Sequence, residues 1–445
     1  MTAPMDEREK FLPITRVALI ERITRHRAWP ADVRHELHRF FHFLDFWRQQ
    51  THIARLLDLG RCYEPFNPDS DHLRTRVYTE SELAKLKGHV VEGLRALLVQ
   101  SNYVELDREQ LSRALSLDSS YGLELDVDVT AFDEFVVFYR GRVFETQYRR
   151  RLRTLYLRKE AYSVPTYQRL FLLLKLKPVD QHIETVMEQR GLKRRTAERH
   201  VRRSRSGLQG SMQEKLIYIK LFKNIPRTDL KMCFPNTTLR LRMFDKLKLG
   251  ASAGSGVGMG VFSTLGQIFA AANPIALAGA AMGFVGVAAR QLSNFLHQRQ
   301  RYMATMAKNL YFHSMADNQG VLTLLADMAA EQDVKEEILL YAAVVGRDVS
   351  RAKLPDLDRD IEAWLRGEFN VDPDLEIDEA LERLLADRIL TENEEGVISA
   401  LPPDKAAEMI DRHWDNYLNN LVTIDHVEGR EVTAAEAATR GGNAD

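Results

Sequence analysis

Three histidines in the segment HELHRFFH have the side-chain type and the spacing for metal coordination. His35, His38 and His42 stand at i, i+3 and i+7, so a helix would place them on one side. Neutral imidazoles arranged in this way can bind a transition metal. However, HELH is not the HExxH motif, and no neighbouring carboxylate or cysteine completes a known ligand spacing. We therefore interpret them as partly exposed histidines of an aromatic-rich helix, and we predict no metal and no cofactor.

Two aspartates and a glycine-rich stretch are the remaining candidates for chemistry. Asp126 and Asp128 share one face of a predicted strand and can ligate a cation, but such residues usually form the solvated face of an antiparallel sheet. The stretch AGSGVGMG (253–260) lacks the Lys-Ser/Thr of a P-loop and the glycine spacing of a dinucleotide-binding fold. No kinase signature set occurs. The sequence predicts no catalytic residue and favours a protein that is not an enzyme.

The most unusual segment is Leu249–Ala289, which contains 41 residues and no Asp, Glu, Lys, Arg or His. A helix needs about 20 apolar residues to cross a bilayer. The turn dipeptide Asn273-Pro274 divides the run into a first arm long enough to span, residues 249–272, and a shorter second arm, residues 275–289. The run predicts a transmembrane helical hairpin. The alternative is a glycine-rich helical hairpin buried inside a soluble protein.

Small residues give the predicted hairpin a packing face. Glycines recur four residues apart in both arms, which places them on one side of a helix and lets another backbone approach closely. Close packing of this kind drives the association of helices in lipid, where no hydrophobic effect acts between them. We predict that these glycines pack against another helix. They are Gly254, Gly256, Gly258, Gly260, Gly279 and Gly283.

Basic residues flank the uncharged run on both sides. Because basic flanks stay on the cytoplasmic side of a membrane, two spans fit this pattern and a single span does not, so both termini are predicted to be cytoplasmic. Basic residues beside a bilayer also attract anionic headgroups. The flanking residues are Arg240, Arg242, Lys246, Lys248, Arg290, Arg299 and Arg301.

The overall composition fits a folded protein, with 45% hydrophobic residues, 28% charged residues and a net charge of −1. The charge is unevenly distributed, because Arg140–Lys159 carries eight Lys/Arg and one acid, whereas Leu354–Ala400 carries fifteen Asp/Glu and four Arg. The two cysteines are far apart, which excludes a disulfide framework and favours a reducing environment. The basic runs 149–159 and 193–205 resemble nucleic-acid patches only in composition, so lipid headgroups are the nearer partner.

Hydrophobic periodicity predicts an α+β fold with six regions. These are a helical N-terminal region (1–118), a small antiparallel sheet with helices (119–248), the two-helix membrane hairpin (249–296), a connecting helix (297–330), a winged-helix-like acidic domain (331–425) and a disordered tail (426–445). Apolar residues at helical spacing predict a helix at 30–59, with Leu37, Phe41, Leu44 and Trp47 on one stripe, and another at 79–99. Strands are predicted at 123–129, 133–141, 167–178, 215–222 and 236–244, the first two joined tightly near 130–133. A loop or frayed helix is predicted at 191–211, and helix throughout 291–328.

Residues 334–400 predict three short helices followed by a β-hairpin, which is the order of a winged-helix domain. Such domains usually bind DNA through one helix in the major groove. Here that helix, DEALERLLADR (378–388), carries Asp378, Glu379, Glu382 and Asp387 against two arginines. A phosphate backbone would repel this surface. We therefore predict a protein partner or a homo-oligomer, and no nucleic acid.

Three stretches together resemble the transmembrane protein 143-like family, which is defined by domain of unknown function 3754. They are YIKLFKNIPRTDLKMCFPNTTLRLRMFDKLKLG (218–250), the Gly/Ala-rich run, and KNLYFHSMADNQGVLTLLADMAAEQDVKEEILLY (308–341). The resemblance implies two closely spaced spans and carries no established activity, cofactor or catalytic residue. Animal members of the family are mitochondrial, but this sequence starts with an acidic segment unlike a transit peptide. We therefore predict a bacterial inner membrane.

Three functional hypotheses follow from the sequence. The first is an integral membrane protein whose soluble regions bind partners or organise an assembly. The second is a lipid- or metal-dependent enzyme at the membrane surface, with the basic sheet as its site. The third is a soluble protein whose glycine-rich hairpin inserts on activation.

Overall fold

A computed structural model describes residues 8–26, 29–73, 75–116, 124–150, 159–205, 208, 212–240, 293, 300, 310–420 and 429–432. These residues form helices and small antiparallel sheets, which confirms the predicted α+β class. The uncharged run 249–289, and with it the predicted membrane hairpin, lies outside the described residues. In the part of the chain that the structure describes, no helix has both the length and the apolar character that a membrane span requires.

Long helices precede and follow the central sheet. The helix α2 is built on the predicted apolar stripe, in which Leu37, Phe41, Leu44 and Trp47 are buried. Thr79 begins α3 with a capping box, because its hydroxyl accepts from the backbone N–H of Glu82 while the Glu82 carboxylate accepts from the N–H of Thr79. The α-helices are α1 Arg16–His26, α2 Ala31–Tyr63, α3 Glu80–Gln100, α4 Arg108–Ser116, α5 Val179–Arg190, α6 Arg194–Arg205, α7 Asn318–Val344, α8 Leu354–Phe369, α9 Ile377–Ala386 and α10 Pro403–Asp415.

The largest sheet has five antiparallel strands in the order β2-β4-β5-β6-β8. Its strands are rich in aromatic and branched residues, as the sequence predicted for β4, β5 and β6. The twelve described strands are β1 Arg76–Val77, β2 Val104–Glu105, β3 Glu124–Asp126, β4 Phe132–Arg150, β5 Lys159–Leu176, β6 Ile217–Pro226, β7 Thr238–Arg240, β8 Ser314–Asp317, β9 Val349–Ser350, β10 Leu390–Glu392, β11 Val397–Ala400 and β12 Arg430–Glu431.

Two of these strands extend beyond the sheet as an arm. The last residue of β6, Pro226, pairs with Thr166 of β5. Beyond that point residues 144–150 of β4 and 159–165 of β5 pair with each other, up to Arg150 opposite Lys159. Seven residues of strand project about 24 Å at the usual rise per residue. We call these residues the β-arm.

The sheet is covered on both faces. One face packs against the C-terminal end of α2, α3 and the first half of α7, with Tyr63, Phe138 and Phe171 in its core. The other face packs against α4 and a 3-10 helix at Arg227–Cys233. Because Leu-rich β5 is buried on both faces, its sequence is an unbroken apolar run rather than an alternating one.

A third core joins the two ends of the chain. Leu12, which precedes α1, and Phe40 and Phe41 of α2 pack with Tyr341 and the helices that follow it. The ring of Tyr341 lies 4.5 Å from that of Phe40, measured between centroids. The helix α7 contributes to this core with its second half and to the sheet core with its first half, so it runs through the domain boundary predicted at residues 330 and 331.

The C-terminal part contains the predicted helices and hairpin in the predicted order. After α7 come β9, α8, α9 and the strands β10 and β11. The three strands form one antiparallel sheet in the order β10-β11-β9. The strand β9 has only two residues, so no alternation in the sequence predicted it.

Two predictions of local structure are wrong, and a third left open a loop and a frayed helix where the structure has a regular helix. Residues 314–317 form strand β8 instead of continuing a helix, because they pair with the edge strand β6. The chain turns into α7 at Asn318, whose φ is 46° and whose amide oxygen accepts from the backbone N–H of Ile219. The basic segment 191–211, predicted as a loop or frayed helix, contains the regular helix α6. The strands β3 and β4, predicted to be neighbours, pair with β7 and with β2 and β5 instead.

Candidate functional site

A cluster of charged side chains lies in the interior where α2, α7 and α9 meet. Helical spacing brings its members to one side of each helix, at i, i+4 on α2, at i, i+3, i+4 on α7 and at i, i+4 on α9. We call this set the ionic cluster. Its members are Arg48, His52, Asp333, Glu336, Glu337, Arg383 and Asp387.

Arg48 links α2 to the other two helices. Its Nε donates to both carboxylate oxygens of Glu337 at 2.8 Å, and its Nη2 donates to Asp387. The side chain of Arg48 is 8% exposed and that of Glu337 is 0% exposed, so water contributes little to their solvation. Burial opposes the charge of Arg48, but Glu337 and Asp387 outweigh it and raise the pKa of the guanidinium.

Arg383 is the hub of the cluster. Its guanidinium lies 2.7 Å from Glu337, 3.1 Å from Glu336 and 3.3 Å from Asp333. It also lies 3.5 Å from Glu379 on its own helix. One planar cation therefore serves four carboxylates, an arrangement that suits the several N–H donors of arginine and not the single ammonium of lysine.

Carboxylates outnumber guanidinium groups in the ionic cluster, and one of these carboxylates, Glu336, has a raised pKa. Burial is the largest effect and raises the pKa of Glu336 to about 8, against the opposing attraction of Arg383. Burial likewise raises the pKa of Glu337. At neutral pH the cluster therefore holds a proton on Glu336 that an exposed glutamate would have lost.

A cavity of about 460 Å³ adjoins the ionic cluster. Asp333, His52, Arg48 and Arg383 line its inner side. The other lining residues stand nearer to solvent on α2, α3 and α9. They are Thr51, Arg55, Gln100, Asp378, Glu379 and Glu382.

His52 connects the cluster to the cavity. Its Nε2 lies 2.9 Å from Asp333 Oδ2, and its side chain is 4% exposed. The other ring nitrogen, Nδ1, has no hydrogen-bond partner. Since a carboxylate accepts, Nε2 carries the proton in the neutral ring and Nδ1 presents its lone pair. The arrangement can hold a proton and can accept a hydrogen bond from a donor.

A second polar group surrounds Asp128 at the junction of the sheet with α5 and α6. Asp128 accepts from the backbone N–H of Thr130 at 3.2 Å and lies 3.5 Å from His182 Nε2. Burial alone would raise its pKa, but His182 and Thr130 outweigh it and hold that pKa well below the usual range. The Asp128 side chain is 9% exposed, so the prediction of a solvated face is wrong for this residue.

The three histidines of α2 are exposed, as the sequence predicted. The ring centroids of His38 and His42 are 4.5 Å apart. Burial, His42 and His35 lower the pKa of His38. Within the described ranges, no group of three or more His, Cys, Asp and Glu side chains is placed to bind a metal ion.

The residues predicted for the membrane hairpin are almost all outside the described ranges. This applies to the six glycines from Gly254 to Gly283, to Asn273-Pro274, and to the flanking basic residues other than Arg240. The backbone of Arg240 ends β7, opposite Glu124 of β3.

The sequence did contain a signal for the ionic cluster. Arg48 lies one turn after the buried Leu44 on α2, and Glu337 lies between the buried Val334 and Tyr341 on the same side of α7. Arg383 lies one turn after the buried Ala380 on α9. A single charge inside an apolar stripe faces the interior and needs a partner there. The partners lie more than 280 positions away in sequence for Arg48, so spacing alone could not identify them.

Residues 132–320 match the family described as Protein of unknown function (DUF3754). The matched residues contain the strands β4, β5, β6 and β8 and the uncharged run, whereas every member of the ionic cluster lies outside them. No solved structure matches the chain. Over its central residues, the chain is therefore similar to a family of unknown function.

Proposed function

We propose that this chain is an integral membrane protein, anchored by residues 249–296, whose other regions form a binding or assembly module. The observation that carries the proposal is the uncharged run of 41 residues with basic residues on both sides. On this proposal both termini lie in the cytoplasm of a bacterium and the bilayer is its inner membrane. The resemblance to the transmembrane protein 143-like family agrees with two closely spaced spans.

The packing of residues on either side of the run supports a hairpin. Cys233 and Phe234, shortly before the run, pack on one face of the five-stranded sheet. Leu310, shortly after the run, packs against the same hydrophobic cluster. A segment that leaves and returns on one face of the body needs an even number of spans, and two spans meet that requirement.

Exposed aromatic residues stand where the chain returns. Tyr311 is 79% exposed and Phe312 is 59% exposed, and their ring centroids are 5.3 Å apart. Aromatic side chains are enriched at the interface between membrane and water. The neighbouring His313 donates from Nδ1 to the carbonyl oxygen of Lys223 at 2.7 Å, near the end of β6 beyond which the β-arm projects. The basic sequence around the β-arm would then face anionic headgroups.

The C-terminal elements support a protein partner. Their order and the strand order β10-β11-β9 correspond to a winged-helix-like domain. The exposed residues Asp378, Glu379 and Glu382 line the helix that would enter a DNA groove. Arg351 joins Glu382 to Glu392 of the hairpin, so this arginine is already neutralised. The acidic surface favours a basic protein partner over nucleic acid.

Membrane fractionation tests the proposal. We expect the full chain in the membrane pellet after high salt and after carbonate, and in the soluble fraction only after detergent. Release by carbonate alone would contradict it. A charge inside the run, Val261→Lys, should reduce membrane retention, because a lysine at the centre of a span costs about 2.5–3.5 kcal/mol. The control Leu247→Lys adds the same charge among basic residues outside the run and should leave retention unchanged.

A further inference from the structure

A second cavity, of about 260 Å³, lies at the edge of the third core, among α1, α7, α8 and the segment between α1 and α2. On α7 it is lined by Leu339, Ala342 and Ala343, which stand at i, i+3 and i+4 and therefore share one side of the helix. Because each alanine has only a methyl group, α7 leaves space there that a larger side chain would fill. The cavity is thus a consequence of small residues on one face of α7.

Two tryptophans form the aromatic lining of this cavity. Trp29 lies between α1 and α2, Trp364 lies on α8, and both residues keep part of their surface exposed. Phe369 packs against Trp364 with 5.8 Å between the ring centroids, which restricts the movement of the indole. Ala342 and Ala343 are also only partly buried. The cavity therefore offers accessible apolar surface, part of it aromatic, on which the ring of a ligand can pack.

The cavity is also lined by one positive and one negative side chain. Arg347 follows the C-terminal end of α7 and Asp360 lies on α8, and both are exposed. The Nε of Arg347 donates to the carbonyl oxygen of Ala343 at 2.5 Å, which holds the guanidinium beside the cavity. Neither Arg347 nor Asp360 forms an ion pair with a residue that the structure describes, whereas Arg359 and Arg366 of α8 both do. A ligand that carries a carboxylate and an ammonium group supplies a partner to each.

The two opposite charges determine which class of ligand fits this cavity best. An aromatic carboxylate is attracted by Arg347 but repelled by Asp360, and an aromatic amine is attracted by Asp360 but repelled by Arg347. A neutral aromatic ring gains only the burial of apolar surface. A ligand with both charged groups and a ring makes all three interactions and meets no like charge.

We propose that this cavity binds a small aromatic zwitterion of the class of the aromatic α-amino acids. The ring of the ligand packs against Trp29 and Trp364. Arg347 donates to its carboxylate, and Asp360 accepts from its ammonium group. The volume of about 260 Å³ is slightly below the about 300–1,000 Å³ of sites for drug-sized ligands, which restricts the ligand to one ring or one fused pair of rings. The site belongs to helices outside residues 249–296, so it is independent of the proposed membrane anchor.

Calorimetric titration of the purified full chain with L-tryptophan and with L-phenylalanine tests this site. We expect saturable binding of one ligand per chain for at least one of the two amino acids. Their analogues without the carboxylate, tryptamine and phenethylamine, should bind at least threefold more weakly. The same is expected of indole-3-propionate and 3-phenylpropionate, which lack the ammonium group.

Two substitutions locate the binding in this cavity. Ala342→Leu fills the space beside α7 and should weaken the binding of the amino acid at least tenfold. The control Ala363→Leu adds the same group at an exposed position of α8 that does not line the cavity, and it should leave the affinity unchanged. Arg347→Gln should weaken the binding of the amino acid but not that of the analogue without a carboxylate, because only the amino acid has a group for this arginine to bind.

The thermal midpoint of each variant shows whether it is folded. If Ala342→Leu does not fold, Ala343→Leu replaces it, because Ala343 lines the same side of the cavity. Absence of saturable binding by both amino acids would overturn the proposal. Equal affinities of the cavity-filling variant and of Ala363→Leu would also overturn it, as would analogues that bind as tightly as the amino acids.

Discussion

Two groups of arginines in this molecule have opposite surroundings. On α6, Arg195, Arg199 and Arg202 follow at i, i+4 and i+7 and are exposed. In the ionic cluster, Arg48 and Arg383 are mostly buried and surrounded by carboxylates from other helices. The first group is part of a conspicuous basic run in the sequence, whereas Arg48 and Arg383 belong to no such run.

The number of charged residues in a stretch of sequence therefore does not indicate how much those residues contribute to stability. Exposed arginines keep their hydration, so their removal changes stability little. Buried arginines have exchanged hydration for fixed partners, and the loss of one leaves its carboxylates buried without a counter-ion. The basic runs led to a hypothesis of lipid binding, whereas Arg48 and Arg383 connect helices α2, α7 and α9.

The largest expected effect comes from Arg383→Met. This substitution preserves much of the side-chain volume but leaves Asp333, Glu336 and Glu337 without their common cation. We expect the free energy of unfolding to fall by about 3–5 kcal/mol. Urea denaturation followed by circular dichroism measures it. The control is Arg412→Met, on the exposed face of α10. An equal decrease in the free energy of unfolding of both variants would mean that buried and exposed arginines contribute alike.

The second effect concerns the pH dependence of stability. Burial raises the pKa of Glu336 from 4.5 to about 8, so the folded chain keeps a proton that the unfolded chain releases above about pH 4.5. The contribution of Glu336 to stability is therefore complete below pH 4.5 and is lost as the pH rises towards 8. In Glu336→Gln this loss cannot occur.

Thermal midpoints of the native chain and of Glu336→Gln between pH 5 and pH 8 measure this difference. We expect the midpoint of the native chain to fall more steeply with rising pH than that of the variant. Parallel pH profiles would mean that Glu336 does not hold its proton in the folded state.

A third substitution tests Asp128, which the sequence predicted to be exposed to solvent. Asp128→Asn removes the charge that accepts hydrogen bonds from Thr130 and His182 at the base of α5 and α6. We expect a loss of about 1–3 kcal/mol in the free energy of unfolding. The control Glu188→Gln, at an exposed position on α5, should have almost no effect on the free energy of unfolding. If the denaturation curves of both variants shift by the same amount, the Asp128 carboxylate makes no structural contribution beyond that of an exposed one.

The smallest effect is expected for the triple substitution of Arg195, Arg199 and Arg202 by Gln. Glutamine forms helices nearly as well as arginine, and the three side chains are exposed. We expect the free energy of unfolding to change by less than about 0.5 kcal/mol. A larger loss in the same denaturation experiment would show that the α6 arginines have partners of structural importance.

Sequence patterns predicted the long elements of the fold and failed at short ones. Periodicity located α2 and α3, and the apolar runs located β5 and β6, because each contains enough residues for a pattern to repeat. The strands β8 and β9 have four and two residues, and they exist because a neighbouring strand edge offers backbone partners. Such pairing leaves no trace in the residues themselves.

The candidate site was less predictable than the fold. The histidines of α2 attracted attention because they lie close together in sequence, yet they are exposed. Asp333 and His52 are 281 positions apart and meet only when α2 and α7 pack. A polar site built from helices that are distant in sequence can be identified only from the tertiary structure. A motif within one segment can be found from the sequence alone.

The joining of the two chain ends in one core also sets the order in which this protein can fold. Leu12 bonds through its backbone N–H to Gln332, which follows 320 positions later. At a synthesis rate of about 5–20 residues per second, about 16 to 60 s pass between the two residues. During that time Phe40 and Phe41 have no Tyr341 to pack against, and the uncharged run has already left the ribosome. The first helices must therefore wait, and the core that they share with α7 and the helices after it closes only after the segment that is proposed to enter the membrane has been made.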